Sequence, residues 1–148
     1  MVATFTTRQY NHTARLFLGQ QVDINNLIVM LLDATGTFDA TNVTLEDVAG
    51  VANAKEVDGN GWTTGGELFA NVVAGTATTD DATLTADEIR VRATGGNIGP
   101  AYALVVYDGT STGDKPLFHV QFSEAVYAGE GTDFLIPGTI LNLTYTAP

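Results

Sequence analysis

The chain has no cysteine. Disulfides, thiolate metal sites and cysteine nucleophiles are excluded, and the composition fits a protein folded in a reducing cytosol. Serine and histidine are almost as scarce: Ser111 and Ser123, His12 and His119. A Ser-His-Asp triad would have to use one of those two serines, and neither sits in a strained elbow motif. The 6 basic residues face 17 acidic ones, for a formal charge of −11 and a sequence pI of about 4.2. Such a surface repels phosphate backbones, so no nucleic-acid partner is expected. No apolar run approaches the ~20 residues of a membrane-spanning helix, so no membrane partner is expected. Residues 1–12 (MVATFTTRQYNH) lack the basic start and apolar core of a signal peptide. The expectation is release by lysis rather than secretion.

Threonine, glycine and valine are abundant, while the helix formers lysine, glutamate and glutamine are few. That balance favours β structure. A chain of 148 residues suits one domain, with enough buried surface to need no staple.

Ala54–Gly75 (AKEVDGNGWTTGGELFANVVAG) organises the rest. It has a strand-like start, a turn at Asp58-Gly59-Asn60-Gly61, the sole tryptophan Trp62, a Gly65-Gly66 pair and an apolar run from Leu68 to Val73. Locally this reads as a β-hairpin with an aromatic anchor, because Asp-Gly and Asn-Gly tolerate positive φ. An acidic calcium loop would need a bidentate glutamate at its twelfth position, and counting from Asp58 gives Phe69.

Before that stretch, residues 1–7 read as an extended N-terminal arm, and 8–148 as a single β-rich domain. Tyr10, Ala14, Phe17 and Leu18 form one apolar helical face that ends at Gly19. Residues 27–33 (LIVMLLD) suit a strand buried on both faces. Thr44 and Asp47 resemble a capping box before a helical turn over Leu45–Ala49.

After it, 76–81 read as a polar turn, and the alternation of 82–92 slips at Asp87-Glu88. Strands are expected over 101–107, 117–122, 133–137 and 139–145, with a polar loop at Asp108–Lys115. In 117–122, Phe118, Val120 and Phe122 are assigned to the core and Leu117, His119 and Gln121 to the outside. The fold class is therefore mainly all-β: a β-sandwich or a jelly-roll or barrel-like domain of seven or eight short strands with one or two short helices.

Little here signals chemistry. Asp80-Asp81 and Asp87-Glu88 read as solvated turn charges rather than acid–base pairs. Two isolated histidines with no marked third ligand do not make a zinc site. Gly95-Gly96 lacks the lysine and helix of a phosphate loop. No catalytic residue, cofactor or metal site is assigned.

VANAKEVDGNGWTTGGELFANVV resembles a motif of small structural proteins of tailed bacteriophages. There a strand ends in Glu-Val-x-Gly-x-Gly, followed by an aromatic, Thr-x-Gly-Gly and a strand carrying Leu-Ala. The matching residues are Glu56, Val57, Gly59, Gly61, Trp62, Thr63, Gly65 and Gly66, with Trp62 where tyrosine is usual and Phe69 inserted between Leu68 and Ala70. Residues 26–32, 101–108 and 116–122 are similar to the family's other strands in the same order.

The resemblance implies a non-enzymatic capsid decoration or cement protein. It would be made in the host bacterial cytoplasm, then bind the outer capsid surface of the virion and bridge major capsid proteins as a homo-oligomer. A trimer suits threefold capsid sites; a dimer suits twofolds. The alternative is a tail or tail-fibre module that binds a receptor, for which Trp62 and Tyr127 are the candidate aromatics. Interface candidates are Phe5 in the arm, Arg8 and Arg15 on the helix, and Asp108 and Lys115 at the ends of the polar loop.

Overall fold

The computed structural model describes residues 4–78, 81–110 and 114–141. These residues form nine strands and two short α-helices: β1 (Phe5–Gln9), α1 (Thr13–Leu18), β2 (Leu27–Leu32), α2 (Leu45–Ala49), β3 (Glu67–Leu68), β4 (Val73–Thr78), β5 (Asp81–Thr85), β6 (Ile89–Arg92), β7 (Ile98–Asp108), β8 (Lys115–Ala128) and β9 (Asp133–Ile136). Three 3-10 turns lie among them. A five-stranded sheet runs in the order β1-β8-β7-β2-β3, and β4–β5 and β6–β9 make separate two-stranded ribbons. The pairings are antiparallel. The fold is mainly β, as composition and periodicity indicate.

Both faces of the five-stranded sheet are buried. On one, Leu27, Val29 and Leu31 of β2 join Leu104 and Val106 of β7 and Phe118 and Val120 of β8. The ribbons cover that face with Leu84, Ile89, Phe134 and Ile136, and Leu16 of α1 reaches the same cluster. On the other, Met30, Leu32, Ala103, Val105 and Tyr107 pack under Tyr10, Phe38 and the apolar side of α2. A strand covered on both sides cannot alternate apolar with polar, which explains the unbroken runs in β2 and β7.

Two-sided burial also corrects the assignment in β8. His119 and Leu117, expected outside, are fully buried: His119 lies on the second face, whereas Leu117 joins the cluster of Phe118 and Val120 where the β7–β8 register shifts. The His119 ring lies 5.6 Å from that of Phe38, and its Nε2 is 3.1 Å from the Gly36 carbonyl. A carbonyl only accepts, so Nε2 carries the proton and Nδ1 presents a lone pair. That Nδ1 has no hydrogen-bond partner among the described residues. Burial, with nearby Arg8 adding to it, holds the His119 pKa below the ordinary histidine value.

The unfolded chain therefore takes up a proton at His119 more readily than the folded one. Stability from this group is complete above the unfolded pKa of about 6.5 and falls as pH drops below it. Urea midpoints measured from pH 7.5 to 5.5 should decline for the wild type and decline less for His119→Gln, which keeps an N–H donor and does not titrate. Equal slopes would remove His119 from the account.

The N-terminal elements differ from expectation. Phe5–Thr7, read as part of an arm, belong to β1 with Arg8 and Gln9, paired to β8 from Phe5↔Phe122 to Gln9↔Phe118. The helix is correspondingly shorter and turned: it buries Thr13 and Leu16 and leaves Leu18 87% exposed. The Thr13 hydroxyl donates to the Leu117 carbonyl at 2.7 Å, fixing that rotation. Farther on, α2 has the expected box: Thr44 Oγ1 accepts from Asp47 N–H, and Asp47 Oδ2 accepts from Thr44 N–H. Residues 76–78, expected in a turn, end β4. Gly138–Leu141 form a 3-10 turn rather than a strand, and the remainder of that expected strand lies outside the described residues.

Candidate functional site

The glycine-rich segment does not fold back on itself. Its two arms lie in succession along the same edge of β2. Val57 N–H donates to Leu31 O at 2.9 Å, and Asp33 N–H donates to Lys55 O at 2.9 Å. Farther along, Glu67 pairs with Val29 and Leu68 with Ile28, and Phe69 N–H donates to Leu27 O at 2.9 Å. Residues 58–66 are an excursion between the arms, so the expected hairpin is instead an interrupted edge strand. The local pattern could not show this, because it holds no record of the third strand that receives both arms.

Within the excursion, Gly59 and Trp62 exchange main-chain hydrogen bonds at 3.0 Å each. Asn60 and Gly61 between them both have positive φ, 54° and 107°. This is the two-residue turn that Asn-Gly favours. The turn is fastened to the loop after β6: Thr94 N–H donates to Asn60 O at 2.8 Å, and Asn60 Nδ2 donates to Asn97 O at 2.7 Å. A Cβ on Gly61 would meet Arg92 O at 2.4 Å, so the close approach requires glycine. Trp62 is delivered into the core, edge-on to Phe134 with ring centroids 5.5 Å apart. Its Nε1–H has no partner among the described residues.

Glu56 and the second glycine pair close the excursion. Glu56 Oε1 accepts from Gly65 N–H at 2.6 Å, and Tyr107 OH donates to Gly65 O at 2.6 Å. Burial foremost, with the Asp58 carboxylate adding to it, holds the Glu56 carboxyl above its ordinary pKa. Burial, then the charges of Asp114 and Glu56, pushes the Tyr107 phenol up to about 12. Tyr107 is therefore neutral at physiological pH and serves as a donor. Beside it opens a cleft of about 360 Å³, lined in part by Leu45, Glu46, Asn53, Gly65 and Asp114. Among the described residues its lining carries no histidine or serine. Among the described residues, no group of three or more His, Asp or Glu is placed to hold a metal ion.

The sequence-derived interface candidates separate in space. Phe5 is 46% exposed on β1. Arg8, also on β1, is exposed with its guanidinium 5.5 Å from the Phe38 ring centre. Arg15 is exposed on α1. Asp108 is 1% exposed and is structural: its carboxylate accepts from Asp23 N–H at 3.0 Å and from Thr110 N–H at 2.9 Å. Its burial makes it a structural residue rather than an interface one; a loop-opening aspartate turned inward to accept from nearby amides looks the same in sequence as one facing water. Lys115 is partly exposed at the start of β8. Of the two aromatics considered for receptor contact, Trp62 is buried and Tyr127 is 67% exposed on β8.

The sheet edges emerge only from the strand order. The β3 edge is short and interrupted. The β1 edge is five residues long, without proline or a register shift. Its sequence signal was the run of threonines in 4–7, which suits a strand as well as an arm. No family model, curated protein or solved structure matches this chain.

Proposed function

We propose that the chain is a non-enzymatic virion structural protein: a decoration or cement protein that binds the outer surface of a tailed-phage capsid and bridges major capsid proteins. The observation that carries this reading is the resemblance of Glu56–Gly66 to the motif of such proteins, together with the role those residues have. Gly59, Gly61, Gly65 and Gly66 supply positive φ, Trp62 plugs the core, and Glu56 ties the loop shut. A motif shared for folding leaves the binding work to the outer surfaces. Many identical copies on a shell make weak individual contacts sufficient through avidity.

The test uses purified protein and expanded capsid shells that lack it. Co-sedimentation and regular added density on the outside of the imaged shell are expected. No binding to shells, with antibody label at the tail tip of intact virions, would overturn the reading. That outcome would favour the tail-fibre alternative, which the exposed Tyr127 supports. Deleting residues 1–7 is a poor probe, because it would strip Phe5–Thr7 from β1 and bare the edge of β8.

A further inference from the structure

We propose that β1 is an association edge, and that its occupant is β1 of a second copy of this chain, added antiparallel about a twofold axis at Thr7. This deepens the self-association within the proposed function, but it concerns the protein in solution and does not depend on a capsid.

The direction of the free backbone groups follows from the register. Ser123 N–H donates to Thr4 O at 2.9 Å, and Tyr10 N–H donates to Leu117 O at 3.3 Å. Main-chain groups alternate sides along an antiparallel strand. Thr4, Thr6, Arg8 and Tyr10 therefore face β8, while the N–H and C=O of Phe5, Thr7 and Gln9 point away from the sheet. Among the described residues no strand pairs with that row; an open row is a template for another strand, and proteins usually blunt it with proline, a bulge, lysine or a very short strand. At the opposite end of the sheet, β3 is two residues long and carries Glu67. On β1 only Arg8 is charged.

Charge selects the second copy's approach. Two molecules at −11 each repel one another, and that repulsion is least where acidic groups are absent. None of the 17 acidic residues precedes Asp23, so β1 and α1 form an acid-free segment. A twofold at Thr7 sets Thr7 against Thr7 of the second copy and Phe5 against Gln9 of the second copy, all with outward-facing backbone groups. It also sets Arg8 against Thr6 of the second copy, so the two guanidinium groups do not meet head on. About six main-chain hydrogen bonds form, two at each of these hydrogen-bonded pairs. The half-exposed Phe5 rings gain cover. Such a contact is isologous and closes as a dimer, whereas a trimer needs a heterologous surface.

The test is Thr7→Pro in the full chain. The Thr7 N–H is not used by β8, and proline is tolerated on an edge strand where its missing N–H faces solvent. Circular dichroism and urea midpoint should stay near wild type, while self-association measured by sedimentation equilibrium should weaken by about tenfold or more. Added salt should strengthen wild-type association by screening repulsion. Amide exchange reads the contact directly: Phe5, Thr7 and Gln9 should gain protection as wild-type concentration rises, and Thr6 and Arg8 should be protected throughout. If Thr7→Pro does not fold, concentration-dependent protection of the wild-type amides still decides the matter. Association unchanged in a folded Thr7→Pro overturns the proposal, as does the absence of concentration-dependent protection at Thr7. A monomer whose shell binding is lost in Thr7→Pro also overturns it, and reassigns the edge to a strand of the shell.

Discussion

Gly66→Ala should destabilise the protein by about 3 kcal/mol, whereas Gly65→Ala, one residue earlier, should cost only about 1–2 kcal/mol. Both glycines have positive φ, 104° and 91° respectively. That conformation alone costs an alanine about 1–2 kcal/mol. The difference is space. A Cβ on Gly65 meets nothing within 4 Å. One on Gly66 would lie 2.2 Å from Val29 O and 2.7 Å from Val29 C. The obstacle is the backbone of β2, which is held in the sheet by β7 and cannot yield as a flexible side chain would. The interrupted strand would have to lift away from β2, losing the Glu67–Val29 pairing and tilting Trp62. Urea midpoints for the two variants provide the check. Equal costs would show that φ alone matters at this glycine pair and that the close approach to β2 does not. Against total stabilities of small domains near 5–15 kcal/mol, a loss of that size is a large fraction of the whole.

Trp62→Ala should cost about 3–5 kcal/mol, through lost burial and a cavity facing Phe134. Trp62→Phe should cost much less, about 1–2 kcal/mol. Phenylalanine keeps a ring against Phe134 and removes an indole N–H that is buried without a partner among the described residues. Leaving such a donor unpaired costs about 1–3 kcal/mol, so its removal offsets part of the lost volume. Urea unfolding followed by far-UV circular dichroism compares the three proteins. Trp62 is the sole tryptophan, so wild-type fluorescence independently reports its transfer from core to water. If Trp62→Phe proved as damaging as Trp62→Ala, the indole nitrogen would have a role that its missing partner conceals.

These expectations concern folding, and that reflects how the segment divides its work. Glycines at 59, 61, 65 and 66 gave a turn signal that could serve a ligand or a fold. The geometry assigns them to the fold: Asn60-Gly61 docks on Thr94 and Asn97, and Gly66 docks on Val29. Among the described residues, the strand edge left without a neighbour is elsewhere, along β1. Its residues were legible as extended and free of acidic side chains. Their membership in the sheet was not, because pairing with β8 joins positions more than a hundred residues apart.

Similar reasons separate the other readings. The capping box at Thr44 and Asp47 is local, so three-residue spacing sufficed to place α2. The apolar runs of β2 and β7 announced two-sided burial. In β8, alternation implied one dry face, and only the loop at Gly36 and Phe38 made the second face dry around His119. Asp108 opens a polar loop, and that position in sequence makes it an interface candidate. Its burial depends on the amide of Asp23, which lies far away in sequence.

By itself the sequence determined the β-rich class, the absence of thiol chemistry, the acidic surface, the turn at Asn60-Gly61 and the start of α2. Each follows from composition or from interactions within a few residues. The tertiary structure alone decided that the arms of Lys55–Phe69 line one edge of β2, that His119 and Asp108 are buried, and that β1 stands at the end of the sheet among the described residues. Strand order and register arise from contacts between distant segments, and no local pattern encodes which strand is left without a neighbour.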